Sequence, residues 1–173
     1  DMLKQLKPKE GEWKCTQCML KNRKEDPECV ACGVPKEGGG GNLSGGVSST
    51  YWHFHYMRLR DDDLNVLVDV LQKSEVLGKV TLDYNHLTLA DGKFTDALAN
   101  NKTLKCLSLG YNKIGAEGAK RLAASLRVNK TLKKLRLEWN EIGDEGAKHI
   151  ADALMENRSL EKITLEYNKI GDD

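Results

Sequence analysis

The strongest constraint on the fold of this chain is a sequence unit that recurs about every 28 residues. Residues 103–115 and residues 131–143 share three leucines, followed by an aromatic residue, Asn, a variable residue, Ile and Gly. A third copy begins at residue 159, and an earlier copy covers residues 77–87. Self-similarity at such a period is typical of a solenoid, in which each unit buries its apolar face against its neighbours.

Each unit predicts one strand and one helix. The leucines belong to a short strand and its entry, with their side chains turned into the core. In the second half, Ala119, Leu122, Ala123 and Leu126 fall at i, i+3, i+4 and i+7, and residues 147–154 repeat this stripe. The predicted fold class is therefore α/β, with parallel inner strands and outer helices that curve into a horseshoe.

An asparagine follows each predicted strand at a tight bend. Its amide can bond backbone groups of its own turn and of the next turn, which satisfies polar groups that the bend would bury. We predict a structural ladder made of Asn85, Asn112, Asn140 and Asn168.

An aromatic residue precedes each of these asparagines. We predict that the rings stack in a row along the rim of the concave sheet, where aromatic side chains with a polar tip favour partner binding. Lateral packing between turns explains the same pattern, and both interpretations stay open. The row consists of Tyr84, Tyr111, Trp139 and Tyr167.

Charges divide the predicted concave face. Acidic residues stand one position before the aromatic row, and lysines stand at the strand starts, where Cys106 takes one lysine position and is interpreted as an inert thiol. Specific recognition and simple solvation both fit this pattern. The acidic row is Asp83, Glu138 and Glu166, interrupted by Gly110, and the basic row is Lys79, Lys134 and Lys162.

The repeat array has a predicted entry and an open end. Residues 51–75 read as an N-terminal cap, with a leading strand at 54–59 and a helix over 64–71 that begins after three aspartates at 61–63. The repeats span residues 76–173 and stop where the next helix is expected, so we expect a C-terminal truncation and further repeats in the native protein.

Four cysteines mark a second, smaller module over residues 8–37. Cys15 and Cys18 form one Cys-x-x-Cys pair, and Cys29 and Cys32 form another, which is the ligand set of a tetrahedral zinc site. Few aliphatic residues lie around them, so metal binding would supply the folding energy. Disulfides and redox chemistry are the alternatives, but no secretory signal or strand-to-helix setting supports them. Four thiolates leave no open position, which predicts one structural Zn²⁺.

A Gly/Ser-rich stretch over residues 38–50 separates the two modules and predicts a flexible linker. The net charge is +1, and neither module has a strong excess of one sign, which argues against nucleic acid as a purely electrostatic partner. No apolar run approaches the ~18 residues of a membrane span, so no membrane partner is expected. The sequence also lacks a phosphate loop or a nucleophile with a placed base, and we expect no enzymatic activity.

Two family resemblances follow from these motifs. The repeats resemble the ribonuclease-inhibitor-like class of leucine-rich repeats, whose members bind proteins on the concave face or its rim. Residues 11–36 resemble the zinc fingers of Ran-binding nucleoporins, in the same superfamily as ubiquitin-binding fingers. The matching pattern is Trp-x-Cys-x2-Cys-x3-Asn-x6-Cys-x2-Cys, with Trp13 and Asn22 at its aromatic and amide positions.

The resemblance of the finger implies which residues would contact a partner. In this superfamily, two residues after the second cysteine contact the partner: Thr-Phe in ubiquitin binders and an aliphatic pair in Ran binders. Met19-Leu20 departs from Thr-Phe and is closer to the aliphatic type. Trp13 is interpreted first as a lid on the knuckle and Asn22 as an ordering residue, each with partner contact as the alternative. RNA-binding members use arginines together with a stacking aromatic residue. This finger has no additional aromatic residue beside its basic residues.

We therefore expect an adaptor in the cytoplasm, the nucleus or both. The finger would recruit a small protein such as a Ran-like GTPase, and the concave face of the repeats would bind a second, unknown protein. The alternatives are a ubiquitin-binding adaptor, a regulatory protein of the Ran activator type and a structural subunit of a large complex, with RNA as a less favoured ligand of the finger.

Overall fold

The computed structural model describes residues 12–14, 21–23 and 51–171. The first two ranges are described as backbone only. Two antiparallel strands, β1 (Glu12–Lys14) and β2 (Lys21–Arg23), form a hairpin. The repeat region holds five more strands: β3 (Tyr51–His53), β4 (Lys79–Thr81), β5 (Cys106–Ser108), β6 (Lys134–Arg136) and β7 (Lys162–Thr164). Its helices are α1 (Asn65–Lys73), α2 (Lys93–Asn100), α3 (Gly115–Val128) and α4 (Gly143–Glu156).

The five strands form one parallel sheet in chain order from β3 to β7. Pairing is in register, so equivalent residues of successive units stand side by side, as Val80, Leu107 and Leu135 do. These three side chains are 0–1% exposed and belong to one core with the leucines before and after each strand. Because side chains alternate along a strand, the residues on either side of Val80, Leu107 and Leu135 point to the opposite surface of the sheet. We call this surface the open face.

The helices cover the other side of the sheet. The predicted stripe on α3 is confirmed, since Ala119, Leu122, Ala123 and Leu126 are all 0% exposed. The equivalent stripe on α4 is only partly buried: Ile150 lies in the core, whereas Ala151 is exposed. Among the described elements, α4 packs mainly on α3, and the flank that carries Ala151 is uncovered.

Gly118 marks the closest approach of a helix to the preceding unit. A Cβ atom at this position would fall well inside 3.0 Å of the Thr88 carbonyl oxygen, and 2.7 Å from Cγ2 of Ile114. The Thr88 oxygen belongs to the backbone and cannot rotate away. Only a residue without a side chain lets α3 pack here.

We predict that Gly118→Ala lowers the free energy of unfolding by roughly 2 kcal/mol, because overpacking outweighs the gain in helix propensity. Gly115→Ala is the matched comparison: its added Cβ meets nothing within 4 Å, and only the positive φ of 60° opposes it. That variant is expected to lose about 1 kcal/mol. Urea unfolding followed by circular dichroism measures both, and equal losses would contradict the packing argument.

The cap differs from its prediction in two respects. The leading strand is Tyr51–His53, so the prediction of a strand over 54–59 is wrong. Tyr56 and Arg58 have φ values of 55° and 56°, which no strand residue adopts, and the segment forms the bend after β3. The predicted helix is present, preceded by a 3-10 helix at Asp61–Leu64.

The three aspartates before this helix do not act together. Asp63 accepts a hydrogen bond from the Arg60 backbone N–H at the helix start, as a capping residue does. Asp61 instead accepts from the backbone N–H groups of Thr88, Leu89 and Ala90 in the next unit. Burial alone would raise the pKa of Asp61, but these bonds and one from the Thr88 hydroxyl hold it below its usual value. Asp61 therefore links the cap to the next repeat unit, which contains Thr88.

No helix among the described residues combines the length and the apolar character needed to cross a membrane.

Candidate functional site

The hairpin places two of the predicted finger residues opposite each other. Trp13 on β1 pairs with Asn22 on β2, and Lys14 pairs with Lys21. The remaining finger residues lie outside the described residues, so their predicted roles stay predictions. These are the four cysteines, Cys15, Cys18, Cys29 and Cys32, and the pair Met19 and Leu20.

The hairpin fits the zinc site that the cysteines imply. Residues 15–20 join two strands whose ends are paired, and they contain the first Cys-x-x-Cys pair. Four thiols are also the donor set that a structural zinc prefers. In the part of the chain that the structure describes, no group of three or more His, Cys, Asp or Glu side chains is placed to hold a metal ion. The stacked pair His53 and His55 thus has no third ligand there.

The asparagine ladder holds the bends together through buried hydrogen bonds. Asn140, which is 0% exposed, donates from Nδ2 to the carbonyl oxygens of Leu137, Glu138 and Leu109 at 2.8–3.1 Å. Its Oδ1 accepts from the Ile114 N–H at 3.4 Å. The same pattern recurs at Asn85, Asn112 and Asn168.

The ladder runs in the opposite direction to the prediction. Each amide bonds its own turn and the preceding turn, not the next one, as Asn112 does with the Leu82 carbonyl at 3.0 Å. The Leu82 N–H donates to the Ser108 carbonyl oxygen in the following unit, and the Leu82 carbonyl points toward that unit as well. The Leu82 carbonyl oxygen therefore accepts from Asn112 of the following unit.

A second asparagine ladder lies at the other end of the units, where helices lead into strands. Asn129 donates to the Leu98 carbonyl at 2.7 Å, and its Oδ1 accepts from the Thr131 and Leu132 N–H groups. Asn101 and Asn157 make equivalent bonds. This ladder was not predicted from the sequence, although its members repeat at the same 28-residue spacing.

The aromatic residues form one continuous stack. Ring centroids of successive members lie 4.1–5.6 Å apart from Tyr84 to Tyr167, with interplanar angles of 11–16°. Tyr56 extends the stack at the cap end, 4.3 Å from Tyr84. Tyr56, which stands 28 residues before Tyr84, was not among the residues predicted for the stack. We call these five residues the aromatic row: Tyr56, Tyr84, Tyr111, Trp139 and Tyr167.

Every member of the aromatic row has a left-handed backbone, with φ between 55° and 58°. Between 38% and 70% of each residue is exposed. The hydroxyl of Tyr111 raises the pKa of Tyr84 to about 12, so this phenol is neutral at physiological pH. The row is thus a continuous, partly exposed aromatic surface.

The charged rows lie on the open face beside the aromatic row. Lys79, Cys106, Lys134 and Lys162 are in register across four strands, and Cys106 is a half-buried free thiol. The acidic row is unequal: Asp83 is only 7% exposed, whereas Glu166 is exposed. Arg136 donates from Nε to Glu138 Oε1 at 3.0 Å. Burial would raise the pKa of Glu138, but the adjacent backbone and Arg136 hold it below its usual value, so the group is ionised at pH 7.

Comparisons with known proteins match both segments. Residues 9–38 match the family model of the Zn-finger in Ran binding protein and others. Residues 100–123 and 128–151 match a leucine-rich repeat model. Both predicted segments are therefore confirmed, and with them the α/β leucine-rich-repeat fold. No curated protein matches the chain at a significant level.

Among solved structures, leiomodin-1 actin-binding site 2 is similar to this chain at 21% identity, with a TM-score of 0.54. The match covers 61% of this chain and 63% of that chain. At this identity the likeness concerns the fold alone. Zinc fingers of this type and leucine-rich repeats are both protein-interaction modules, so both segments indicate a protein-binding role.

Proposed function

We propose that this chain is a non-enzymatic adaptor of the cytoplasm or nucleus, with a zinc finger and a repeat surface that bind different proteins. The observation that carries the proposal is the aromatic row. A left-handed backbone costs a non-glycine residue roughly 1–2 kcal/mol. Each stacked pair returns only about 0.5–1.5 kcal/mol beyond its burial. The same backbone occurs at Arg58, Glu141 and Lys169, so it belongs to the bends; what supports a binding surface is that five stacked rings stay 38–70% exposed.

The exposure of the row supports the same interpretation. Aromatic residues with a polar tip are enriched at protein interfaces, where a rigid ring buries a large area at a small cost in side-chain entropy. Neighbouring rings already restrict each other in the stack, so little further ordering is needed on binding. The row lies beside the charged open face, and together these form the surface proposed for the second protein partner.

The finger is proposed to bind a Ran-like GTPase through Met19 and Leu20. The match of residues 9–38 to the Ran-binding-type model supports this partner class, and so does the aliphatic pair, which differs from the Thr-Phe of ubiquitin binders. One Zn²⁺ held by the four cysteines would fold the finger and leave the pair exposed. The linker at 38–50 would let both surfaces act on one assembly, because tethering raises the effective concentration of the second site.

Calorimetric titration of the full chain tests the finger proposal. Ran loaded with GDP is expected to bind, and Met19→Ala/Leu20→Ala is expected to weaken binding at least about tenfold, since two buried aliphatic contacts are lost. Met2→Ala/Leu3→Ala is the matched control, because it removes the same residue types outside the finger and should leave the affinity unchanged.

Three further ligands separate the alternatives in the same titration. Preferential binding of ubiquitin or of a short single-stranded RNA would replace the Ran-like partner. Monomeric actin is included because the structural neighbour is named for actin binding, and any binding of actin is assigned to the repeats if the Met19/Leu20 variant retains it. Binding of none of Ran-GDP, ubiquitin and the RNA would reject the recruitment model, whether or not actin binds.

A further inference from the structure

Lysine and arginine side chains gather at the end of the units where the helices lead into the strands. Four corresponding segments lie at this end, and together we call them the basic rim: residues 73–79, 101–106, 129–134 and 157–162. They contain nine Lys or Arg residues and two acidic residues, although the whole chain has a net charge of only +1. The positive charge of the repeats is therefore concentrated along one rim.

The helix ends account for only part of this charge. A cation near a helix C-terminus is stabilised by the helix dipole, and Lys102, Lys130 and Arg158 directly follow the C-caps of α2, α3 and α4. The dipole effect falls off within the last turn of a helix. Lys105 and Lys134 stand further along the chain, at the entries of β5 and β6. The rim therefore carries more positive charge than the helix ends require.

Most of the rim charge is not consumed inside the repeats. Within the described residues, the rim holds one ion pair, from Lys133 Nζ to Glu161 Oε1 at 2.9 Å. Lys102, Lys105 and Lys134 are exposed and form no ion pair in that part of the chain. Concentrated charge of one sign attracts ligands of the opposite sign. The rim is therefore suited to an anionic partner.

Exposed aliphatic side chains lie among these cations. Val76 is 54% exposed within the first rim segment. Val128 is 56% exposed and stands two residues before Lys130, and Met155 is 75% exposed and stands three residues before Arg158. Because the chain spans at most about 3.6 Å per residue, each aliphatic Cα lies within about 11 Å of the Cα of a rim cation. The rim therefore offers apolar contacts beside its positive charge.

This combination favours an acidic peptide over a nucleic acid. A phosphate backbone uses only the cations, and single strands are held by stacking on aromatic rings, of which the four rim segments have none. A peptide that carries both carboxylate and aliphatic side chains uses the lysines and the exposed aliphatic residues together.

A second copy of this chain is a poor occupant of the rim. Its acidic residues concentrate at the bends, at the opposite end of the units, but the best ordered of them are bonded within their own chain. Asp83 accepts from the Gly110 N–H at 2.8 Å, and Glu138 accepts from Arg136 at 3.0 Å. These carboxylates would have to give up their own partners to reach a neighbouring molecule.

We propose that the basic rim binds an extended acidic segment of a protein partner, in which Asp or Glu alternates with aliphatic residues. Neighbouring strands lie about 4.8 Å apart and neighbouring helices about 9 Å apart, so four units make a rim roughly 14–27 Å long. An extended peptide of about eight residues spans this length. The rim lies at the opposite end of the strands from the aromatic row, so it is a surface beyond those of the proposed function.

Fluorescence anisotropy of a dye-labelled peptide, titrated with the full chain, tests the proposal. The probe is a peptide of about eight residues in which Glu alternates with Leu. We expect saturable binding that weakens as salt is added, because exposed charges are screened. A peptide with Gln in place of Glu should not bind. A peptide with Ser in place of Leu should bind about fivefold more weakly, since it buries no aliphatic surface.

A first pair of variants assigns the charge to the rim. Lys102→Gln/Lys105→Gln is expected to weaken binding of the Glu-Leu peptide about fivefold, since two exposed ion pairs are lost. Lys120→Gln/Lys148→Gln is the matched control. It removes the same charge from exposed positions within α3 and α4, away from the rim, and should leave the affinity unchanged.

A second pair assigns the apolar contacts. Val128→Thr/Met155→Gln is expected to weaken binding of the Glu-Leu peptide and to leave binding of the Glu-Ser peptide unchanged. Met57→Gln/Val66→Thr is the matched control, because these residues are 40% and 41% exposed in the cap and lie outside the rim. Its affinity for both peptides should equal that of the wild type.

Several outcomes would overturn the proposal. These are no saturable binding of the Glu-Leu peptide, equal affinity for the Glu-Ser peptide, or an equal loss in the rim and control lysine variants. Tighter binding of polyuridine RNA or of phosphatidylserine vesicles would assign the rim to another ligand, and self-association that Lys102→Gln/Lys105→Gln abolishes would assign it to a second copy. None of these measurements uses Ran-GDP or the aromatic row, so their failure would reject the rim while the adaptor function stands.

Discussion

Replacing Asn140 by alanine is expected to lower the free energy of unfolding of the repeats by roughly 3 kcal/mol, the largest effect of any single substitution in the bends. The variant loses three donated bonds and one accepted bond at a fully buried position. It leaves the buried carbonyl oxygens of Leu109 and Leu137 without this donor. Chemical unfolding of the full chain, followed by circular dichroism, measures the loss.

Two further variants separate hydrogen bonding from loss of volume. Asn140→Asp keeps the shape but replaces the donor with a carboxylate that faces three carbonyl oxygens, so it should be at least as destabilising. Asn100→Ala is the control, because Asn100 is exposed and makes one bond, to the Asp96 carbonyl at 3.2 Å. Its effect should stay within about 0.5 kcal/mol. A similar effect at both asparagines would contradict the ladder.

Replacing Cys29 by serine is expected to reduce the zinc content from one ion per chain to none. Three thiolates cannot close the tetrahedron of a structural site. Zinc of this kind contributes on the order of 10 kcal/mol to the folding of a small finger. We therefore expect the finger of this variant to be unfolded and its partner binding to be lost. Mass-spectrometric metal analysis of the purified chain measures the first effect, and the titration with Ran-GDP measures the second.

Cys106→Ser provides the control for the zinc experiment. Cys106 is the fifth cysteine of the chain and lies on β5 in the open face. This variant should retain one zinc, and Cys29→Ser should leave unfolding of the repeats unchanged. A wild type without zinc, or equal zinc loss in the two variants, would contradict the four-cysteine site.

The periodic part of the fold could be predicted from the sequence because each unit repeats the same strand, bend and helix. The leucines and the bend asparagines recur at an interval of 27 or 28 residues, and each copy supports the interpretation of the others. Further residues recur at the same interval and were not predicted. Tyr56 stands at this spacing without the leucine pattern of the later units, and Asn101, Asn129 and Asn157 each stand three residues before the first leucine of a unit.

The bend after β3 and the pairing of the acidic row could not be predicted in this way. Around residues 54–59 the alternation of aromatic and polar side chains imitates a strand, and only the left-handed φ of Tyr56 and Arg58 shows that the chain bends there. At Gly110 the sequence shows a break in an acidic row. The orientation of Asp83 and Glu138 toward that break depends on packing between units, which periodicity does not encode.

The central claim is that the chain uses its finger and its repeats as separate binding surfaces, with Met19 and Leu20 as the contact for a Ran-like GTPase. An NMR titration of the labelled full chain with unlabelled Ran-GDP tests it most directly. The account predicts perturbed resonances at Met19, Leu20 and their neighbours in the finger, while the amides of residues 51–171 keep their positions. Perturbations confined to the repeats, or none in either part, would contradict it.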